Sequence, residues 1–196
     1  MIIHTIISVM NIPKECLNIY TTEYQARQIN RIILQYAAPQ SSITDATACI
    51  GGNSVFFMRE FSKVTCVEKD HDIFNVLKGN IKMNGGDFTC KCYNTSYNDI
   101  KFIIKQDVIF IDPPWGGQNY KSKQNVKLFL DSVEINYIIN DLYNFADIIA
   151  LKAPNNFDMD SLDELFWSHC VHMITKNNKA IYNIIIFYKH TQRIYI

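Results

Sequence analysis

The sequence predicts an α/β fold: a seven-stranded, mostly parallel sheet covered by helices on both faces and finished by a terminal antiparallel hairpin. Three observations predict it. Short continuous apolar runs alternate with segments of helical period, the pattern of strands buried on both faces. The 196 residues are 48% hydrophobic and 19% charged, which supplies one core and excludes a disordered chain. No Gly/Ser/Pro-rich linker and no internal repeat divides the chain, so an arm and helix over 1–36 are expected to pack on one domain spanning 37–196.

The elements follow in order. Residues 1–10 are apolar and read as a strand or a packed arm. A helix over 21–36 opens with Thr21-Thr22 as cap and carries Ile29, Ile32, Ile33 and Tyr36 at helical spacing. Strand 1 is Ile43–Thr47, followed by a Gly51-Gly52 turn and a helix beginning near Asn53-Ser54. Strand 2 is Val64–Glu68, then a helix over Asp72–Met83, strand 3 over Phe88–Tyr93 and strand 4 over Asp107–Asp112. Strand 4 stops at Pro113-Pro114, where two ladder donors are lost. A helix over Val126–Phe145, strand 5 over Asp147–Lys152 and a helix over Asp160–Phe166 come next. Val171–Thr175 and Tyr182–Tyr188, joined by the polar turn Lys176–Lys179, form the hairpin.

Composition narrows the partners. The formal net charge is zero, which argues against gripping long nucleic acids by phosphate neutralisation and favours a local grip. The N-terminal apolar stretch lacks a basic flank and a cleavage site, and no run approaches the roughly 20 apolar residues of a membrane span. A soluble intracellular monomer is expected, in nucleus or cytoplasm, with a virus in its host cell included. The six cysteines include no CxxC pair and the five histidines are scattered, so no metal is expected. Cys90-Lys91-Cys92 is the one close pair of ligand type.

The chemistry is expected where parallel strands end. After strand 1, Asp45 to Asn53 supplies glycines that let a backbone approach a ligand, then a helix N-terminus that favours a carboxylate. Glu68, about 17 residues beyond the glycine turn, stands where an acid accepts from ribose hydroxyls. Asp112-Pro113-Pro114-Trp115 combines a stiff extended backbone, carbonyls free to face an amine, and an aromatic stacking surface. That combination suits methylation of an exocyclic amine on a base, in which positioning is the main catalytic contribution.

These motifs resemble the trimethylguanosine synthase family over about residues 20–190. The likeness takes in Thr22-Glu23, Asp45 to Asn53, Val64 to Asp70 and Asn80 to Gly85. It continues through Asp112 to Tyr120 with its Pro-Pro-Trp-Gly-Gly, Ala153-Pro154-Asn155-Asn156 and Asn177-Asn178-Lys179. The resemblance implies a class I, Rossmann-like methyltransferase fold, S-adenosylmethionine as cofactor, and the N2 of a 7-methylguanosine cap on RNA as substrate. It implies Asp45, Ala46, Gly51, Asn53, Glu68, Asn94 and Asp112 at the cofactor. Asp112, Pro113 and Trp115 would carry catalysis, and Trp115, Tyr120, Lys121 and Asn155 would hold the substrate, with Lys123 near the cap phosphates. Indole is the best aromatic face for a cationic base.

The sequence departs from the family at three points: Cys49 stands at the first glycine position, Cys92 and Asn94 replace the strand 3 acid, and Asn155 replaces a basic residue. Two other readings share the pattern: a methyltransferase for another base amine, such as rRNA guanine N2 or adenine N6, and a catalytically inactive cap-binding module.

Overall fold

The computed structural model describes residues 9–38, 40–86, 88–176 and 178–189. Most of the arm expected over 1–10 lies outside them. Helix α1 (Glu23–Ile33) opens on a capping box in which Thr22 and Gln25 satisfy each other's backbone donors. Strand β1 (Ser42–Asp45) leads into the short helix α2 (Ser54–Phe57). Strand β2 (Lys63–Val67) is followed by α3 (His71–Met83), whose N-cap Asp70 accepts from the N–H groups of Asp72 and Ile73. The edge strand β3 (Cys90–Tyr93), helix α4 (Tyr97–Ile100) and strand β4 (Val108–Ile111) complete the first half.

The second half holds two-residue strands β5 (Phe129–Leu130) and β6 (Val133–Glu134), helix α5 (Ile135–Asp141), strand β7 (Ile148–Pro154) and the long hairpin β8 (Ser168–Lys176) and β9 (Lys179–Tyr188). The main sheet has seven strands in the order β3-β2-β1-β4-β7-β9-β8. The first five are parallel; β9 runs antiparallel to β7, and β8 antiparallel to β9. The strand order reverses between β1 and β4, so their carboxyl ends flank the switch point where such sheets bind ligands.

Alternation along the strands sorts the core into two layers. Ile43, Val64, Phe110, Ala150 and Ile186 face Ile29 and Ile33 of α1, Phe57 of α2, and Leu77 and Ile81 of α3. Ile109, Ile111, Ile149, Leu151 and Ile185 face Ile135, Ile138 and Ile139 of α5. No helix among the described residues is long and apolar enough to cross a membrane.

Three sequence expectations change. The helix expected over Val126–Phe145 begins only at Ile135, because Asp131 and Ser132 adopt φ of 50° and 68° and turn β5 directly into β6. Positive φ at both central residues is what a type I′ two-residue hairpin requires, and Asp131 is held there by Lys69 and Ser96. The helix expected over Asp160–Phe166 is a single 3-10 turn, Met159–Leu162. Ser161 Oγ donates back to the Asp158 carbonyl, and the following chain turns Trp167 inward to donate to Ile139 O at 2.9 Å. Strand 3 is shorter than expected, and Phe88 is 99% exposed, since the turn at Gly86 takes the N–H groups of Thr89 and Cys90.

The fully buried Asn80 ties the N-terminal segment and the first loop to α3. Its Oδ1 accepts from Asn11 N (2.7 Å), and its Nδ2 donates to Asn11 O (3.0 Å) and Ile50 O (2.8 Å). Asn80→Ala strands these groups in the interior and is expected to cost about 2–3 kcal/mol, read as a lower urea midpoint at unchanged slope.

Candidate functional site

At the carboxyl ends of β1, β2, β4 and β7, polar side chains converge in an otherwise apolar sheet. Asp45 ends β1 and is fully buried; its Oδ2 accepts from Ser54 Oγ at 2.6 Å, while its Oδ1 has no partner. Burial pushes its carboxyl up to about 7, against the lowering by Ser54 and with a further push from the Asp112 charge. Ala46, also buried, donates its N–H to Phe110 O, and Thr47 Oγ1 accepts from Asp112 N at 2.8 Å. These two contacts lock the ends of β1 and β4 together.

The loop that follows is tight. Cys49 takes a left-handed φ of 48°, and Gly51 one of 91°. A cysteine there bears the steric cost that a glycine avoids, of order 1 kcal/mol. Gly52 serves close approach: a Cβ there would stand 2.6 Å from Thr21 O. Thr21, buried, thus roofs the turn, and its Oγ1 accepts from Asn53 Nδ2 at 3.1 Å. The Oδ1 of buried Asn53 has no donor.

Glu68 follows β2, half-buried. Its Oε2 accepts from Cys49 N (3.0 Å) and its Oε1 from Asp70 N (2.8 Å). Burial raises its pKa, and these backbone bonds work against the rise. Each oxygen keeps a second lone pair. Asn94, exposed beyond β3, donates to Glu68 O and Lys69 O, and its Oδ1 pairs with His71 Nδ1 at 3.0 Å. Its amide therefore braces the loop after β2.

Asp112 ends β4, and its Oδ2 accepts from Lys152 Nζ at 2.7 Å. Pro113 is buried and Pro114 exposed. The half-buried Trp115 touches both core layers, and its Nε1 is buried without an acceptor. The other tryptophan, Trp167, is buried with its N–H satisfied, as a structural indole is. Lys152 Nζ lies over the Trp115 ring at 5.8 Å, and the Tyr120 ring stands edge-on to it at 5.3 Å.

Beyond the motif, Gly116 and Gly117 lead into a 3-10 turn, Gly117–Ser122. Asn156 Nδ2 donates to the carbonyls of Tyr120 and Lys123, at 2.8 Å each, and pins that turn. Lys121, Lys123 and Asn155 are exposed at its rim. A cavity of about 380 Å³ lies elsewhere, lined by Gln106 and Asp107 before β4 and by Phe102 and Phe145. It sits at the opposite end of the sheet and belongs to a different surface.

Three functional side chains escape the sequence reading. Lys152 ends the apolar run of β7 and is 7% exposed; besides Asp112 it reaches Thr21 Oγ1 at 3.4 Å and lies 5.1 Å from the Tyr182 ring centre. A lysine that closes a buried strand needs a counter-charge, which was the available signal. Thr21 and Asn156 lie in stretches the sequence reading named, the helix start and Ala153-Pro154-Asn155-Asn156, but they act through contacts 32 and 36 residues apart in sequence, which local pattern does not mark. Asp112 is matched by Lys152 and burial holds Asp45 largely protonated below neutrality, so the site offers open acceptors on three acids rather than a strong negative charge.

The comparisons with known proteins agree with this architecture. A family model described as RNA cap guanine-N2 methyltransferase matches residues 40–194. L320 of Acanthamoeba polyphaga mimivirus is 33% identical over 138 residues, 66% of this chain and 52% of that protein. The chain thus spans about half the length of that relative. Among solved structures, a protein of Porphyromonas gingivalis W83 superposes with a TM-score of 0.70 at 13% identity, covering 92% of this chain and 43% of that one. TrmK of M. capricolum, solved with S-adenosyl-homocysteine, gives 0.61 at 10% identity, covering 88% and 71%. A rRNA methylase of Streptococcus thermophilus gives 0.59 at 8%, covering 86% and 97%. At these identities the structural likeness is one of fold, a class I methyltransferase sheet.

Asp45 makes stability pH-dependent. Its folded-state value of about 7 lies above the ordinary 3.8, so the stability it contributes is complete below pH 4 and is lost as pH rises towards 7. Asp45→Asn is expected to remove that slope, which amounts to on the order of 4 kcal/mol at most, in denaturation curves taken from pH 4 to 8.

Proposed function

The chain belongs to the RNA cap guanine-N2 methyltransferase family, and on that premise we propose that it methylates the exocyclic N2 of a 7-methylguanosine cap on RNA, with S-adenosylmethionine as donor. Residues 37–196 form the catalytic domain in this reading, and 1–36 the arm and helix packed on it. The observation that carries it is the Trp115 indole, half-buried at the carboxyl end of β4 beside a cluster of carboxylates, with an ammonium already resting over its ring.

The residues present fit the cofactor. Asp45 Oδ1 and Asn53 Oδ1 are buried acceptors without donors, and the methionine ammonium would satisfy them. Glu68 keeps a lone pair on each oxygen for the ribose hydroxyls, and Ala46 and Gly51 offer backbone close to the ligand. Asn94 flanks the adenine side through the brace it forms with Glu68 and His71. When bound, S-adenosylmethionine supplies a methyl on a sulfonium: the amine nitrogen gains a bond to that carbon while the C–S electron pair stays on sulfur.

The chain's own residues position the nucleophile. Lys152 and Thr47 fix Asp112 through its Oδ2 and its N–H, which leaves Oδ1 to accept from the base amine and steer its lone pair. Pro113 and Pro114 keep the adjoining carbonyls free of ladder bonds and hold the backbone stiff. Trp115 stacks on the N7-methylated guanine, a cation that indole prefers by about 2 kcal/mol when desolvated, with Tyr120 buttressing the ring edge. Lys121 and Asn155, at the exposed rim, face the cap phosphates in this arrangement. After bond formation the surplus amine proton leaves to solvent. One transfer gives the dimethylguanosine product and a second the trimethylguanosine product.

The test offers labelled S-adenosylmethionine with m7GTP, GTP, or uncapped RNA. Labelling of m7GTP alone is expected; equal labelling of GTP or of uncapped RNA favours a neutral base, and m7GTP binding without transfer favours a binding module. Trp115→Ala is expected to weaken m7GTP affinity about 30-fold or more and to abolish turnover. Trp115→Phe, which retains a smaller aromatic face, is expected to recover part of the affinity in calorimetry.

Lys152→Met keeps the aliphatic stem but strands the Asp112 carboxylate. A loss of about 3 kcal/mol in stability and about 100-fold in kcat is expected. Adding Asp112→Asn should restore stability in thermal melts without restoring turnover.

A further inference from the structure

Register brings Cys66 beside the close pair Cys90 and Cys92, from which sequence keeps it more than twenty residues away. In the parallel pairing of β2 with β3, Cys66 lies opposite Cys92, and Val64 opposite Cys90. Side chains two residues apart share a face of a sheet, so Cys66, Cys90 and Cys92 project from one side while Lys91 projects from the other. Their sulfurs all lie within 4.8 Å of one another, and the Cys66–Cys90 pair is at 3.2 Å. All three are free thiols; Cys66 is fully buried, whereas Cys90 and Cys92 on the edge strand are half-buried. A solvent ion therefore has a route to the cluster.

We propose that these three sulfurs bind one thiophilic cation, Zn2+, with solvent as the fourth ligand. Zn–S bonds of about 2.3 Å put the sulfurs of a tetrahedral site about 3.8 Å apart. The observed separations start below that value and stay within 4.8 Å, so small side-chain rotations suffice. Each thiol gives its proton to the buffer as its S–Zn bond forms; the metal keeps its charge and no electrons move. Three soft ligands exclude Mg2+ and Ca2+, leaving Cu+ as the competitor for the same sulfurs. The bound ion clips edge strand β3 to β2. Glu68 and Asn94 each follow a ligand by two residues, so the clip steadies one wall of the cleft, but the site itself does not rest on methyl transfer.

The test uses the full chain, chelator-treated and kept reduced, titrated with Co2+ as the spectroscopic probe and then with Zn2+. One Co2+ per chain is expected, with a thiolate-to-cobalt band that Zn2+ removes, and a higher Tm in the presence of Zn2+. Cys90→Ser and Cys92→Ser, at half-buried positions, should each weaken Co2+ binding by about tenfold or more, while Cys170→Ser, outside the cluster, leaves it unchanged. No saturable band at micromolar Co2+, unchanged affinity in Cys92→Ser, or a Cys66–Cys90 disulfide in the freshly isolated chain overturns the proposal. A band removed by Cu+ but not by Zn2+ overturns the choice of ion.

Discussion

The ion pair between Lys152 and Asp112 is the constraint on which the cleft depends. An ammonium at the end of an interior strand cannot stand alone, and the same lysine reaches Thr21 and rests over two aromatic rings. Through it β7 is joined to β4, and through Thr47 β4 is joined to β1. The three strand ends are thereby fixed with respect to one another before any ligand arrives. Pairing at this depth adds little net stability, because desolvation offsets attraction; its effect is to leave one arrangement of the Asp112 carboxylate in place of several.

That arrangement explains why the site is rich in carboxyl groups without being strongly anionic. Asp45 is held largely protonated below neutrality by burial, Glu68 is occupied by two backbone N–H groups, and Asp112 is matched by a lysine. Each acid retains an open acceptor, and each open acceptor is worth more beside a positively charged ligand than beside a neutral one.

Much of this was legible in the chain. Apolar runs gave the parallel strands their places, and the Glu68 and Asp112 positions stood out because each acid closes such a run, whereas Asp45 fell inside the expected strand 1 and was marked only by the family resemblance. What escaped was decided by contacts rather than by pattern. The Val126–Phe145 segment has helical period, but two left-handed residues held by Lys69 and Ser96 redirect it. Lys152 was visible as the last residue of a strand, yet its role required knowing which strand lies beside β7. The cysteine cluster depends on the β2–β3 register, which fixes who faces whom only after the sheet has formed.

Thr21 packs where Gly52 has no side chain, so the lid over the glycine turn is contributed by a stretch that precedes strand β1. Floor and ceiling of the cleft thus come from stretches far apart in the chain. A substitution at Thr21 would therefore be felt at once by the glycine turn, by Asn53 and by the lysine that ties the strand ends together.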